Sequence, residues 1–115
     1  MKRKILIVED SLTVRRMLTQ AIAQQTGLEI DAFDTLEGAR DCQGEEYVVA
    51  LVDLTLPDAP CGEAVNVLLA RGLPVVILTA DISEEKREAW LEAGVLDYVM
   101  KDSRHSLQYA VSLVH

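Results

Sequence analysis

The chain is short of positive charge. Its 115 residues hold 11 Lys and Arg against 19 Asp and Glu, a net charge of −8. A domain that grips phosphate backbones needs a cationic face, so direct nucleic-acid binding is not expected of it. Cysteine is scarce too. Cys42 and Cys61 show neither CxxC nor metal spacing, and read as reduced, structural thiols of a cytosolic protein. No apolar run approaches the ~18 residues of a membrane span. Met1-Lys2-Arg3-Lys4 precedes an apolar run, but Glu9-Asp10 ends it far short of the ~7–15 residues of a signal-peptide core. These absences point to a cytoplasmic domain with no membrane partner. At this length it forms one unit that can bury a core without disulfides or metal staples.

What is present is a pattern of apolar runs ending in polar residues. Ile5-Leu6-Ile7-Val8 runs into Glu9-Asp10, and Val48-Val49-Ala50-Leu51-Val52 into Asp53. Val75-Val76-Ile77-Leu78 runs into Thr79, and Tyr98-Val99-Met100 into Lys101. Short apolar runs alternating with helical patterns read as buried parallel strands in βα units.

Five such units follow one another without linker, repeat or low-complexity segment. The first strand is expected at about Lys4–Glu9, with Ser11 capping a helix that Gly27 stops. On that helix Val14, Met17, Leu18, Ala21 and Ile22 share a face, leaving Arg15, Arg16 and Gln20 outward. Leu28–Phe33 reads as an edge strand, and Asp34 with Glu37 as the capping box of a short helix. Tyr47–Val52 is wholly apolar and so central. A loop with Pro57, Pro60 and Gly62 leads to a helix through Ala64, Val65, Leu68 and Leu69 that stops near Gly72. Pro74 opens the fourth strand, Ser83 caps the helix that Gly94 ends, and Leu96–Met100 is the fifth strand. A last helix is expected from Ser103, with Leu107, Ala110, Val111 and Val114 on one face.

The expected fold class is α/β: a five-stranded parallel sheet in the flavodoxin-like order 2-1-3-4-5, with helices on both faces. The ligand crevice of such sheets lies outside the carboxyl ends of the strands, and here the switch point falls between the strands ending in Asp10 and Asp53. Glu9, Asp10 and Asp53 would repel one another there, and a hard divalent cation such as Mg²⁺ relieves that repulsion through oxygen ligands. With Lys101, bound Mg²⁺ would clamp a transferring phosphoryl group. A carboxylate is a competent nucleophile for that group, and Thr79 offers a hydroxyl donor. Each residue alone would pass for a solvated strand end; all of them together, on four different strands, would not.

These residues carry a resemblance. Glu9-Asp10, Asp53 with Pro57 four residues on, Thr79-Ala80, and Ala93-Gly94-Val95-Leu96-Asp97-Tyr98 ahead of Lys101 resemble the receiver domain of two-component response regulators, of the chemotaxis-regulator type. The resemblance spans residues 1–115 as a single receiver domain, expected to be the N-terminal part of a longer protein. It implies that Asp53 accepts a phosphoryl group from a histidine kinase or histidine phosphotransfer protein. It also implies that Glu9, Asp10, Asp53 and the backbone carbonyl of Thr55 hold Mg²⁺, and that Thr79 and Lys101 contact the phosphoryl oxygens. Tyr98 would rotate with the state of Thr79, and a downstream output domain, in the same chain or a partner, would read the change. Such a module assists its own phosphorylation and dephosphorylation but is not a conventional enzyme.

Two positions depart from the family pattern. Asp102 stands where a cis proline is usual, so a trans bond is expected there. Gly62 lies one residue further from Asp53 than usual, with Pro60 and Cys61 between. Three rivals are set against the receiver reading. A flavin-binding domain would share the fold, but Glu9-Asp10 would repel the flavin phosphate. A phosphatase working through an aspartyl phosphate would need an acid–base partner where Thr55 stands. A degenerate receiver, binding partners without phosphorylation, would not need every ligand type that is present. Arg15, Arg16, His105 and His115 are expected to be solvated, and Trp90 partly buried; if functional, Arg15 and Arg16 would lie beside the site on the first helix, where the resemblance implies that kinase partners dock. Tyr109 and Leu113 form a second apolar strip on the last helix, either a homodimer or interdomain contact or an irregularity of the pattern.

Overall fold

The computed structural model describes residues 4–80, 83–101 and 104–113. Its strands are β1 (Lys4–Val8), β2 (Glu29–Phe33), β3 (Tyr47–Asp53), β4 (Val75–Thr79) and β5 (Asp97–Met100). Its helices are α1 (Leu12–Thr26), α2 (Leu36–Ala39), α3 (Glu63–Ala70), α4 (Glu84–Ala93) and α5 (Arg104–Ser112), with a 3-10 turn at Gly44–Glu46. All strand pairs are parallel and the sheet order is β2-β1-β3-β4-β5. This is the flavodoxin-like order, with β3 central and β2 at an edge.

Successive strand residues point to opposite faces, which splits the core into two layers. Ile5 and Ile7 of β1, Val49 and Leu51 of β3 and Val76 and Leu78 of β4 pack under α1 and α5, against Leu18, Ile22, Leu107, Ala110 and Val111. Leu6, Val8, Ala50, Val52, Val75 and Ile77 face the other way, toward Ala39 of α2 and Ala64, Val65 and Leu68 of α3. Because both faces of β1, β3 and β4 are covered, those strands need the unbroken apolar runs seen in the sequence. Each fully buried Leu or Ile contributes roughly 1.5–3 kcal/mol relative to exposure. α4 is the exception among the longer helices, with no buried residue; it leans on the core through half-buried Trp90 and Leu91.

Helix ends follow local chemistry. Ser11 Oγ accepts from Val14 N at 3.3 Å, Ser83 Oγ accepts from Lys86 N at 3.2 Å, and α1 stops at the left-handed Gly27. The cap of α2 is a correction. Thr35, not Asp34, caps it, accepting from Gly38 N at 3.1 Å. The carboxylate comes from far along the chain: Asp58, in the β3–α3 loop, accepts from Leu36 N and Glu37 N, both at 2.9 Å. Local spacing cannot register a cap supplied from another loop. Strand limits move by one residue at Glu9, Leu28, Asp53 and Leu96, of which Glu9 and Leu96 still donate to Phe33 O and Val75 O. The Lys101–Asp102 bond, Ser103, Val114 and His115 lie outside the described residues.

The β3–α3 loop is tightly tied. Leu56 and Ala59 exchange both backbone hydrogen bonds around Pro57-Asp58, and Gly62 N donates to Leu54 O at 3.0 Å. Gly62 has φ +80°, and a Cβ there would meet the Trp90 ring at 2.7 Å. Only glycine satisfies both demands. The shifted glycine of the sequence therefore marks where Trp90 of α4 closes over the loop.

Candidate functional site

Four strand ends bring the site together. β1 delivers Glu9 and Asp10, β3 ends in Asp53, β4 in Thr79, and Lys101 follows β5. Two backbone bonds extend the ladder past the strands: Leu54 N donates to Leu78 O at 2.9 Å and Lys101 N to Thr79 O at 2.8 Å. They hold Lys101 beside β4 and in reach of the acids. Among the described residues, the buried polar ones are Glu9, Asp53 and Thr79, at 0%, 2% and 3% exposure. The other buried strand residues are apolar or tyrosine, with Tyr47 at the far end of β3 and Tyr98 on β5, so among the described residues buried carboxylates are confined to this edge.

The Lys101 ammonium donates to both acids. Its Nζ lies 2.8 Å from Asp53 Oδ2 and 2.9 and 3.0 Å from the two Glu9 oxygens. Backbone amides take the remaining directions: Ser11 N donates to Glu9 Oε2 at 2.8 Å and Thr55 N to Asp53 Oδ1 at 3.0 Å. Asp10 stands on the solvent side. One oxygen each from Glu9, Asp10 and Asp53 lie within 4.8 Å of one another.

Three carboxylates with one ammonium leave the electrostatics unbalanced. Burial pushes Glu9 up to about 7, against the hydrogen bonds from Lys101 and Ser11 and helped by the nearby Asp53 charge. Burial likewise raises Asp53, and its hydrogen bond with Asp10 adds to the rise, while Lys101 and the Thr55 amide oppose it. That same bond is the main reason Asp10 is held below the ordinary carboxylate value. For Lys101 burial works to lower the value, and the hydrogen bonds to Asp53 and Glu9 outweigh it, leaving the ammonium more firmly charged. An all-oxygen donor set with surplus negative charge fits a hard divalent cation such as Mg²⁺, which would take the place of the retained protons.

Tyr98, on β5, is buried at 8% exposure. With Thr79, Thr55, Cys61 and Trp90 it lines a groove of about 330 Å³ beside the site. His105 and Arg16 are exposed, and Cys42 is buried while Cys61 is exposed. Trp90 is half-buried, in line with the sequence. Arg15 is a correction. It is half-buried and turns back along the chain, donating from Nη1 to Glu9 O at 2.8 Å and Asp10 O at 3.3 Å. The one available sequence signal was a cation in the first turn of a helix, where the helix dipole disfavours it.

Comparison with known proteins agrees with this geometry. Residues 5–111 match the family model of the response regulator receiver domain. The chain is 34% identical over 101 residues to the probable transcriptional regulatory protein SilR of Salmonella typhimurium, covering 85% of this chain and 44% of that protein. It is 28% identical over 108 residues to a protein-glutamate methylesterase/protein-glutamine glutaminase of Koribacter versatilis, covering 90% of this chain and 30% of that protein. A crystal structure described as a two-component system response regulator/GGDEF domain protein is 90% identical with a TM-score of 0.96, covering 99% of this chain and 46% of that one. The chemotaxis response regulator CheY4 of Vibrio cholerae, 21% identical with a TM-score of 0.77, covers 100% of both chains and shares the fold. The chain thus spans about half or less of the length of the curated relatives it matches, and within that span it belongs to the response regulator receiver domain family.

Proposed function

We propose that this domain is a phosphoacceptor in a two-component pathway, with Asp53 as the acceptor. The observation that carries this reading is the buried Asp53 carboxylate held by Lys101 at 2.8 Å among surplus acids. An Asp53 oxygen attacks the phosphorus of a phosphohistidine on a histidine kinase or histidine phosphotransfer protein. The P–O bond forms as the P–N bond breaks, and the electron pair returns to the imidazole nitrogen, which takes up a proton. Mg²⁺ held by Glu9, Asp10, Asp53 and the Thr55 carbonyl would neutralise charge on the transferring oxygens. Lys101 then leaves its bond to Asp53 for a phosphoryl oxygen, and the Thr79 hydroxyl donates to another. Repositioning of Thr79 is relayed to Tyr98 across their shared groove.

The output lies in the same polypeptide, as in the 90% identical response regulator/GGDEF domain protein, whose chain is about twice as long. A GGDEF output domain is the reading that relative favours. Intact-mass measurement tests the acceptor. With Mg²⁺ and acetyl phosphate the domain gains one phosphoryl group, labile to acid and base, and Asp53→Asn gains none. Unchanged labelling of Asp53→Asn would remove Asp53 from the role.

A further inference from the structure

Arg15 is a cation where a helix least wants one. It sits in the first turn of α1, which carries no acidic residue, at the positive end of the helix dipole. Its guanidinium does not reach outward. It folds back so that Nη1 donates to two consecutive carbonyls, Glu9 O at 2.8 Å and Asp10 O at 3.3 Å. Those carbonyls belong to the two acids of the site and lie between the end of β1 and the first turn of α1.

We infer that Arg15 is the positioning residue of the acidic pair, setting the divalent-cation affinity of the site without touching the cation or the phosphoryl group. Fixing two successive carbonyls fixes the two peptide planes at the turn. Those planes decide that the Glu9 side chain turns inward, to Lys101 and the Ser11 amide, while Asp10 turns to the solvent side within reach of Asp53. The Arg15 main chain is itself anchored, its N–H donating to Ser11 O at 2.9 Å and its carbonyl accepting from Thr19 Oγ1 at 2.8 Å. The clamp therefore works from a rigid helix onto a turn. Partners that orient a ligand are commonly as sensitive to loss as the ligands themselves.

This inference rests on the cation-binding reading above, and the test separates the two. Arg16 is the charge-matched control: it is next in sequence, on the same helix turn, and exposed. Mg²⁺ affinity is measured by calorimetry for wild type, Arg15→Met, Arg15→Lys and Arg16→Met. Arg15→Met is expected to bind Mg²⁺ roughly tenfold more weakly, as loss of an orienting partner does. Arg15→Lys, able to reach one carbonyl, falls between, and Arg16→Met stays within about twofold, because it removes the same charge but no clamp. Labelling of Arg15→Met by acetyl phosphate slows at low Mg²⁺ and recovers at saturating Mg²⁺, a split that general loss of folding does not produce. A second readout needs no metal. The Ser11 amide, which donates to Glu9, exchanges its hydrogen roughly tenfold faster in metal-free Arg15→Met as that turn loosens. If Arg15→Met fails to fold, the same two comparisons are made on Arg15→Lys. Mg²⁺ affinity in the Arg15 variants equal to that of Arg16→Met overturns the positioning role. A wild type that binds no Mg²⁺ overturns the cation site instead, and the Ser11 exchange rate then decides the clamp alone.

Discussion

Two charged clusters in this molecule are built from similar groups and do opposite things. On the α4–β5–α5 face one acid, Asp97, serves several donors: Tyr109 Oη at 2.5 Å, the Tyr98 amide at 2.8 Å and, at 3.6 Å, the Arg87 guanidinium. One carboxylate meets one cation, and water reaches both Arg87 and Tyr109. At the carboxyl edge of the sheet three acids share one cation, and two of them are buried. The first cluster is complete as it stands. In the second, burial raises Glu9 and Asp53 above their ordinary carboxylate values, so its charge is not balanced within the fold.

Removing the cation from each cluster gives the largest expected contrast. Lys101→Met leaves Glu9 and Asp53 buried without a counter-charge, and should cost about 3 kcal/mol in metal-free urea unfolding, the scale of a broken buried pair. A loss close to that of a surface charge would mean that the edge is as well solvated as the α4–β5–α5 face. Next comes the effect of the metal. Mg²⁺ should raise the melting temperature by binding the native state only, and Asp10→Asn should remove most of that gain while relieving repulsion in the metal-free protein. A Mg²⁺ shift that survives in Asp10→Asn would place the cation elsewhere.

The dependence on pH sharpens the same contrast. Glu9 is raised in the folded protein, so between its ordinary value of 4.5 and about 7 the native state holds more protons than the unfolded one. Stability contributed by that proton is present at the low end and lost as pH rises through the folded value. Asp53, raised for the same reason, acts in the same direction. The metal-free melting temperature should therefore fall across this window, and saturating Mg²⁺ should flatten the fall. A metal-free profile that rises instead would show the acids to be content as anions. The smallest effect is expected at the exposed cluster, where Arg87→Ala should change unfolding by less than about 1 kcal/mol.

The legibility of the chain follows the range of the forces involved. Strands were readable because burial on both faces demands apolar runs, and the site because strand order places the residue after each run on one edge. Ser11, Gly27, Ser83 and Gly94 announced helix ends through interactions three or four residues long. What escaped were contacts that reach past the three or four residues of a helix cap. Asp58 caps α2 from another loop, displacing the role given to Asp34, and Arg15 gives its donors to carbonyls rather than to water. A surplus of hydrogen-bond donors on a charged side chain has no periodicity, and so leaves no pattern in a sequence. The pairing of Gly62 with Trp90 belongs to the same class: each residue is legible alone, and their contact is not.

That contact makes the protein its own optical probe. Trp90 is the single tryptophan of the chain, and its ring lies over Gly62 in the groove that Thr79 and Tyr98 also line. Indole emission depends on the polarity and quenching groups within a few ångströms, so no engineered dye or label is needed to watch this edge. Stopped-flow fluorescence of the unmodified domain tests in real time whether added Mg²⁺ or acetyl phosphate changes this edge. The signal has one source, which makes its amplitude assignable to a single place in the fold.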